Sequence, residues 1–322
     1  MRRVIVGAFV LLLASAVLGA SGASAMHRSA TETSRAAAGP HYMGWSEPVN
    51  LGPAINTAET EQGVALSKKG LSLYFARRPQ ANVGLGGDDI WVSQRESVED
   101  EWGEPVKLGA TINTASRDYG PALSRDEHWL FFSSDRPGGF GGTPFGDVWA
   151  SWRPNVHDDF GWQTPINLGP NVNTPTNDYG ATYFENEGGN PQLYFASDRP
   201  GGAGLADLYV SELQADGSWG LPTRISELSS AVGENFGSIR DDGLEIFFSR
   251  FFPGHMWTAT RDSVDAPWST PVNLGPPVNS AVNDYAGQLS ADGQTLIFNS
   301  VKPGGFGQYD LYMTTRSKSH GH

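Results

Sequence analysis

Five acidic residues recur at equivalent places along the chain, and their type and spacing are where chemistry could reside. Glu61, Asp118, Asp178, Glu234 and Asp284 follow Asn56, Asn113, Asn173, Ser229 and Asn279 at one constant interval. Carboxylates brought to one place form a negative funnel for a cation. Ca²⁺, which favours carboxylate and carbonyl oxygens, is the metal such a ring would suit, and a peptide bearing Lys or Arg is the organic counterpart. Two carboxylates in unlike environments could instead share the acid and base work at a glycosidic bond, with Glu234 and either Asp284 or Asp178 as the pair. The structural alternative is that each acid accepts backbone N–H bonds or pairs with a nearby Arg, and that duplication repeats the arrangement. The near equivalence of the five positions argues against catalysis, because acid and base need different surroundings.

A second constellation marks a break in repetition. SDRPGG occurs at 134–139 and 197–202, and a worn SVKPGG at 300–305. The matching stretch 249–255 reads SRFFPGH. It places Arg250, Phe251, Phe252, His255 and Trp257 close in sequence, and the same repeat carries Glu234 and Asn235. Aromatic surface, an imidazole and both signs of charge around a concavity are the usual make-up of a ligand site, although drift from a duplicated unit would also break the symmetry. No second His or Cys lies at ligand spacing from His255. Arg77-Arg78-Pro79 departs from the pattern as well. A further row, Asp89, Asp147, Asp207 and Asp310 with His255 in the fourth place, follows the glycine-rich loops and reads as caps for them. Asp158-Asp159, in the excursion RPNVHDDFG, reads as a solvated turn.

The elements that must position these residues follow from the repeat. Trp45, Trp102, Trp162, Trp219 and Trp268 open five copies, with WSEPVNLG, WGEPVKLG, WQTPINLG, WGLPTRIS and WSTPVNLG. After a loop comes a short PALS-type strand. It is followed by LSLYFA, HWLFFSS, PQLYFAS, LEIFFSR or QTLIFNS, and then by DIWVSQR, DVWASWR, DLYVSEL, HMWTATR or DLYMTTR, all rich in aromatic and β-branched residues. Four strands per unit at a period of roughly 50–60 residues predict an all-β, five-bladed β-propeller of four-stranded antiparallel blades. The PALS-type strand should line the central channel and the W-x-x-P strand should lie outermost. The chain starts with an outer strand and ends with three strands lacking one, so pairing of the two ends closes the ring and removes both edges.

The stretches LSRDEHWLFFSSDRPGGFGG with DVWAS, YFASDRPGG with DLYVS, and SADGQTLIFNS with DLYMT resemble the TolB-like, or WD40-like, β-propeller repeat of bacterial envelope proteins. The resemblance spans nearly all of 45–316. It implies a periplasmic or cell-surface protein that binds other envelope proteins or cell-wall-associated partners. The fold hosts many activities, so function must be argued from the site.

Arg2 and Arg3, an apolar run to about Leu18 and Ala23-Ser24-Ala25 read as a secretory signal peptide over 1–25. Residues 26–44 read as a flexible leader, 45–316 as the propeller and 317–322 as a tail. The chain has no cysteine, so neither thiol catalysis nor disulfides arise. A formal net charge of −13 disfavours nucleic acid and anionic lipid. No G-x-S-x-G, H-E-x-x-H, P-loop, complete dinucleotide fingerprint or Asp-box is present. The sequence therefore points to an exported, periplasmic or secreted, monomeric binding or scaffold propeller. It would engage a protein, peptide or glycan, need no cofactor unless Ca²⁺ sits on the acidic ring, and insert in no membrane. Glycoside hydrolysis by channel-mouth carboxylates is the alternative.

Overall fold

The aromatic segments of the repeat are strands throughout. The computed structural model describes residues 42–80, 87–141, 144–185 and 189–319; the signal peptide and most of the leader lie outside them. In chain order the strands are β1 (Val49–Asn50), then β2 (Thr60–Leu66), β3 (Ser72–Arg78), β4 (Asp89–Gln94) and β5 (Val106–Lys107) of blade 1. Blade 2 has β6 (Asp118–Leu123), β7 (Trp129–Ser134), β8 (Asp147–Trp152) and β9 (Ile166–Asn167). Blade 3 has β10 (Asp178–Phe184), β11 (Gln192–Ser197), β12 (Asp207–Glu212) and β13 (Thr223–Arg224). Blade 4 has β14 (Glu234–Ile239), β15 (Glu245–Arg250), β16 (His255–Thr260) and β17 (Val272–Asn273). Blade 5 has β18 (Asp284–Leu289), β19 (Thr295–Ser300) and β20 (Asp310–Thr315), completed by β1. All pairings are antiparallel and run in sequence order from the channel outward, so this is the five-bladed β-propeller expected from the repeat.

The innermost strands β2, β6, β10, β14 and β18 pack against one another in a closed ring. The second strand of each blade is buried on both faces, which is why its sequence is a continuous apolar run rather than an alternating one. One apolar core fills each gap between neighbouring blades. Tyr74 and Ile90 of blade 1 meet Leu130 and Phe132 of blade 2, and Tyr194 and Leu208 of blade 3 meet Ile246 and Phe248 of blade 4.

The repeated tryptophan has a specific partner. The Arg that ends the third strand's segment lies over its ring: Arg95 over Trp102 at 4.2 Å, Arg153 over Trp162 at 4.4 Å, Arg261 over Trp268 at 4.3 Å and Arg316 over Trp45 at 4.6 Å. Blade 3 has Leu213 in the Arg place, and there the backbone bridges Leu213 to Trp219 instead. The repeated Asn also has a structural duty. Asn56, Asn113, Asn173 and Asn279 each accept from and donate to the backbone of the preceding blade's third strand, at Leu311, Ile90, Val148 and Met256.

Two local expectations are corrected. Tyr42 and Met43, assigned to the leader, pair with Lys318 and Ser317, assigned to the tail, so the closing seam runs past both boundaries. Arg316 fixes this seam: it lies 3.8 Å from the Tyr42 ring and donates twice to Glu245 of blade 4. Asp159 is not in a solvated turn. It is 4% exposed and accepts from Ser72 (2.7 Å), Tyr74 (2.5 Å), Gln94 (2.7 Å) and Arg153 (2.6 Å), tying blade 2's excursion to blade 1. The run of polar residues concealed this, because the buried partners are distant in sequence.

Burial alone would raise the Asp159 pKa, but the hydrogen bonds from Tyr74, Ser72, Arg153 and Gln94 outweigh it and hold the carboxyl below its ordinary range. Its stabilisation is therefore present above the unfolded pKa and lost as pH falls through the lowered one. Asp159→Ala leaves the 1%-exposed Arg153 without its charge partner and should cost about 3–5 kcal/mol in denaturant unfolding. A loss below about 1 kcal/mol would show that the excursion is not a structural tie.

Candidate functional site at the channel mouth

A bulge in every innermost strand decides what faces the channel. The pairing register shifts just after each ring acid, between Gln62 and Val64, Tyr119 and Ala122, Tyr179 and Thr182, Phe236 and Ser238, and Tyr285 and Gln288. In blades 1 to 3 the bulge holds Gly63, Gly120 and Gly180 at φ of 54°, 61° and 62°. A Cβ on Gly63 would stand 3.0 Å from the Gly120 backbone, so glycine also permits the close approach of neighbouring strands.

Successive side chains on a strand point to opposite sides. The five ring acids point away from the channel and are all at 0% exposure. Each is held by a basic side chain of its own blade: Arg77–Glu61 at 2.9 Å, Arg136–Asp118 at 2.5 Å, Arg199–Asp178 at 2.7 Å, Arg250–Glu234 at 3.2 Å and Lys302–Asp284 at 3.5 Å. Two geometries achieve this. Asp118, Asp178 and Asp284 face Ser134, Ser197 and Ser300 across the strand pair, and the cation comes two residues later. In blades 1 and 4 the longer Glu61 and Glu234 directly face Arg77 and Arg250. The departures from SDRPGG are thus compensated by the change from Asp to Glu. The Asp of SDRPGG has its own role: Asp135 and Asp198 accept the backbone N–H of Arg117 and Asn177, joining two loops of one blade.

The residues after the acids, Gln62, Tyr119, Tyr179, Asn235 and Tyr285, face inward and line a cavity of about 220 Å³. Phe145, Phe251, Tyr309, Asn299, Arg78 and Arg117 complete its polar and aromatic wall. Among the described residues no Asp or Glu lines it. The Oδ1 atoms of Asn235 and Asn299 are buried with no hydrogen-bond partner among the described residues. Arg78 and Arg117 both bond to one carboxylate, Asp88, at 0% exposure. Burial would raise the Asp88 pKa, but the hydrogen bonds and charges of the two guanidinium groups prevail and hold it low. Burial raises the phenol pKa of Tyr285, to about 12, so this ring enters neutral chemistry only.

The blade 4 residues divide between two surfaces. Asn235 and Phe251 reach the cavity, where the Phe251 ring meets Tyr285 edge-on at 5.5 Å. Phe251 also turns to an outer depression shared with Arg250, Phe252, His255 and Trp257. Phe252 is 77% exposed there, with φ of 59°. Arg250 is sandwiched between its ion pair and the Trp257 ring, 4.5 Å away. His255 occupies the place of the loop-capping acids Asp147, Asp207 and Asp310. Those accept backbone N–H groups of the glycine-rich loops, whereas His255 faces Asn273 (3.4 Å) and the Ser280 carbonyl (3.2 Å). Among the described residues no group of three or more His, Cys, Asp or Glu side chains is arranged to hold a metal ion.

Glu234 differs from its four counterparts. Ser230 and Arg250 both reach Oε1, while Oε2 is buried without a partner among the described residues. Glu61, by contrast, has both oxygens engaged, by Thr57 and Arg77. Burial raises the pKa of Glu61 as well, and it pushes that of Glu234 up to about 7, against the pull of Ser230 and Arg250.

Sequence reasoning did not single out Arg117, Asn299, Tyr309 or Asp88. Arg117 stands one residue before a ring acid, where the other blades have Thr60, Asn177, Gly233 and Asn283. That single departure was the available signal.

No family model matches the sequence, and no curated protein matches it. Solved structures do. The catalytic domain of the Coprinopsis cinerea GH62 α-L-arabinofuranosidase is 12% identical with a TM-score of 0.56, covering 86% of this chain and 98% of its own. A GH62 hydrolase in complex with xylotriose is 10% identical with a TM-score of 0.54, covering 84% and 97%. A TolB from Agrobacterium tumefaciens is 15% identical, covering 82% and 80%, with a TM-score of 0.46, too loose to argue from. The two GH62 likenesses support the fold alone. Among the described residues no helix is long and apolar enough to cross a membrane.

Unfolded Glu ionises near 4.5 and folded Glu234 near 7, so between these values the native state binds the extra proton and stability falls as pH rises. Glu234→Gln should flatten the melting-temperature slope over that window relative to wild type. Parallel slopes for the two proteins would mean that Glu234 binds no extra proton in the native state.

Proposed function

We propose that the protein recognises a glycan at the channel mouth. The observation that carries this reading is the cavity itself. Rings of Tyr119, Tyr179, Tyr285, Phe145 and Phe251 offer aromatic surface for a sugar, and the side-chain amides of Asn235 and Asn299, whose Oδ1 atoms have no partner among the described residues, offer polar groups for its hydroxyls. A buried acceptor without a donor is costly, and a ligand hydroxyl would relieve it. That a propeller of like fold was solved with xylotriose supports sugars as the ligand class. Export by the signal peptide read over 1–25 would deliver the protein to extracytoplasmic glycans.

Hydrolysis of the glycan is the second reading, favoured by one observation. Glu234 keeps its proton near neutral pH, as a general acid must. Its Oε1 is held by Ser230 and Arg250, its Oε2 is buried, and no carboxylate lines the cavity among the described residues, so binding without turnover is the reading the geometry favours.

Calorimetric titration of residues 26–322 with an oligosaccharide panel, run beside a reducing-end assay, tests both. Binding with no new reducing ends is expected. Asn299→Leu removes the buried acceptor, so the melting temperature should hold or rise while affinity falls by roughly tenfold. Absence of binding to every glycan overturns the reading. Turnover that Glu234→Gln abolishes would establish the hydrolase instead.

A further inference from the structure

The cavity is electrically and chemically two-sided. Blades 1 and 2 contribute Arg78 and Arg117, and blades 4 and 5 contribute the side-chain amides of Asn235 and Asn299, whose Oδ1 atoms are buried and unpartnered among the described residues. Both guanidinium groups rest on Asp88. Arg78 donates through Nε (2.5 Å) and Nη2 (3.0 Å), and Arg117 through Nη2 (2.9 Å) and Nε (3.2 Å), with Gln62 adding a fifth bond at 3.0 Å. Two cations on one carboxylate leave one positive charge over, in a chain whose formal net charge is −13. Asp88 itself is at 0% exposure, whereas the Arg78 and Arg117 side chains keep 23% and 11%. The cavity therefore sees guanidinium and not carboxylate. The arrangement belongs to one sector of the ring: where blade 1 has Asp88, the corresponding positions are Gly146, Ala206, Gly254 and Tyr309.

A ligand that satisfies both sides needs an anion at one end and hydroxyl donors at the other. A neutral sugar meets the guanidinium side with hydroxyl oxygens alone and leaves its charge unmatched. A small inorganic anion meets only the guanidinium side, and a peptide carboxylate would have to meet the two amides through its N–H groups. Resting on the glycan reading above, we infer that the ligand is an acidic glycan whose uronate carboxylate meets Arg78 and Arg117 while its ring hydroxyls donate to Asn235 and Asn299. Guanidinium suits a carboxylate because its parallel N–H groups match two oxygens. At about 220 Å³ the cavity is smaller than the roughly 300–1,000 Å³ of drug-sized sites, so it holds a single sugar unit, the end of a chain.

The test is calorimetric titration of the wild-type protein with trigalacturonate, its methyl ester, a sulfated trisaccharide, xylotriose and cellotriose. Trigalacturonate should bind at least roughly tenfold tighter than the ester and the neutral sugars, a margin ordinary for a charged hydrogen bond, and its affinity should fall as salt rises. Arg78→Gln and Arg117→Gln should each erase most of that margin. Arg117 also bonds the Pro144 carbonyl at 2.6 Å, so its variant could misfold; the ester comparison on wild-type protein decides the question without any variant. Equal binding of neutral and acidic sugars overturns the uronate assignment and leaves the glycan reading standing. Equal or tighter binding of the sulfated trisaccharide also overturns it. Failure of every glycan to bind overturns both.

Discussion

The buried pairing of one carboxylate with one cation in each blade is the constraint on which the rest of the molecule depends. A carboxylate at 0% exposure is expensive unless its charge and lone pairs are met. Arg136 meets Asp118 and also donates to the Ile112 carbonyl; Arg199 does the same for Asp178 and Val172. One guanidinium thus joins the start of the innermost strand to the loop before it. Such pairs contribute less to net stability than to uniqueness, because a register slip of one residue would strand the acid in the channel and its cation in the blade. Together with the bulge that follows, they fix which face each innermost strand shows to the axis.

Fixing the acid away from the channel separates structure from recognition. The acid position is nearly invariant across blades because its partner lies within the same blade. The next position has no such duty, and it varies: Gln62, Tyr119, Tyr179, Asn235, Tyr285. Variation one residue from a constant is what a repeat scaffold permits at its ligand-facing surface, since those side chains answer to whatever occupies the cavity. The same logic explains blade 1, where Arg77 takes the pairing role toward Glu61 and leaves the adjacent Arg78 available to Asp88 and the cavity.

The architecture was legible in the sequence because it rests on local signals repeated five times. The recurring tryptophan, the apolar second strand and the truncated fifth unit together specify the blades, their order and the closing pair β1–β20. The direction of the ring acids was not legible. It depends on a bulge whose only trace is the Gly after Gln62, Tyr119 and Tyr179, and without it the acids and their neighbours are equal candidates for the channel. Asn299 was hidden for another reason. It lies in the second strand, where Ala76, Ser133, Ala196 and Ser249 are the counterparts, and a single amide in a buried apolar run gives no periodic signal. Asp159 misled in the opposite way, since its polar neighbourhood in sequence is replaced in space by Tyr74 and Arg153.

Blade 4 shows what happens when the shared constraint is loosened without being removed. Glu234 retains its Arg, but at 3.2 Å and with one oxygen unmet, while Arg250 also lies over Trp257. Burial accordingly pushes the Glu234 pKa up to about 7, and a proton replaces part of what the cation does not provide. Glu234 points away from the channel, so the described lining from blades 4 and 5 holds no carboxylate, and the excess of positive charge near Asp88 is opposed by none among the described lining residues. An anion entering the mouth would meet guanidinium on one side and neutral acceptors on the other. The loosened pair of blade 4 and the doubled arginines of blades 1 and 2 thus act in the same direction, although they arise from unrelated departures from the repeat.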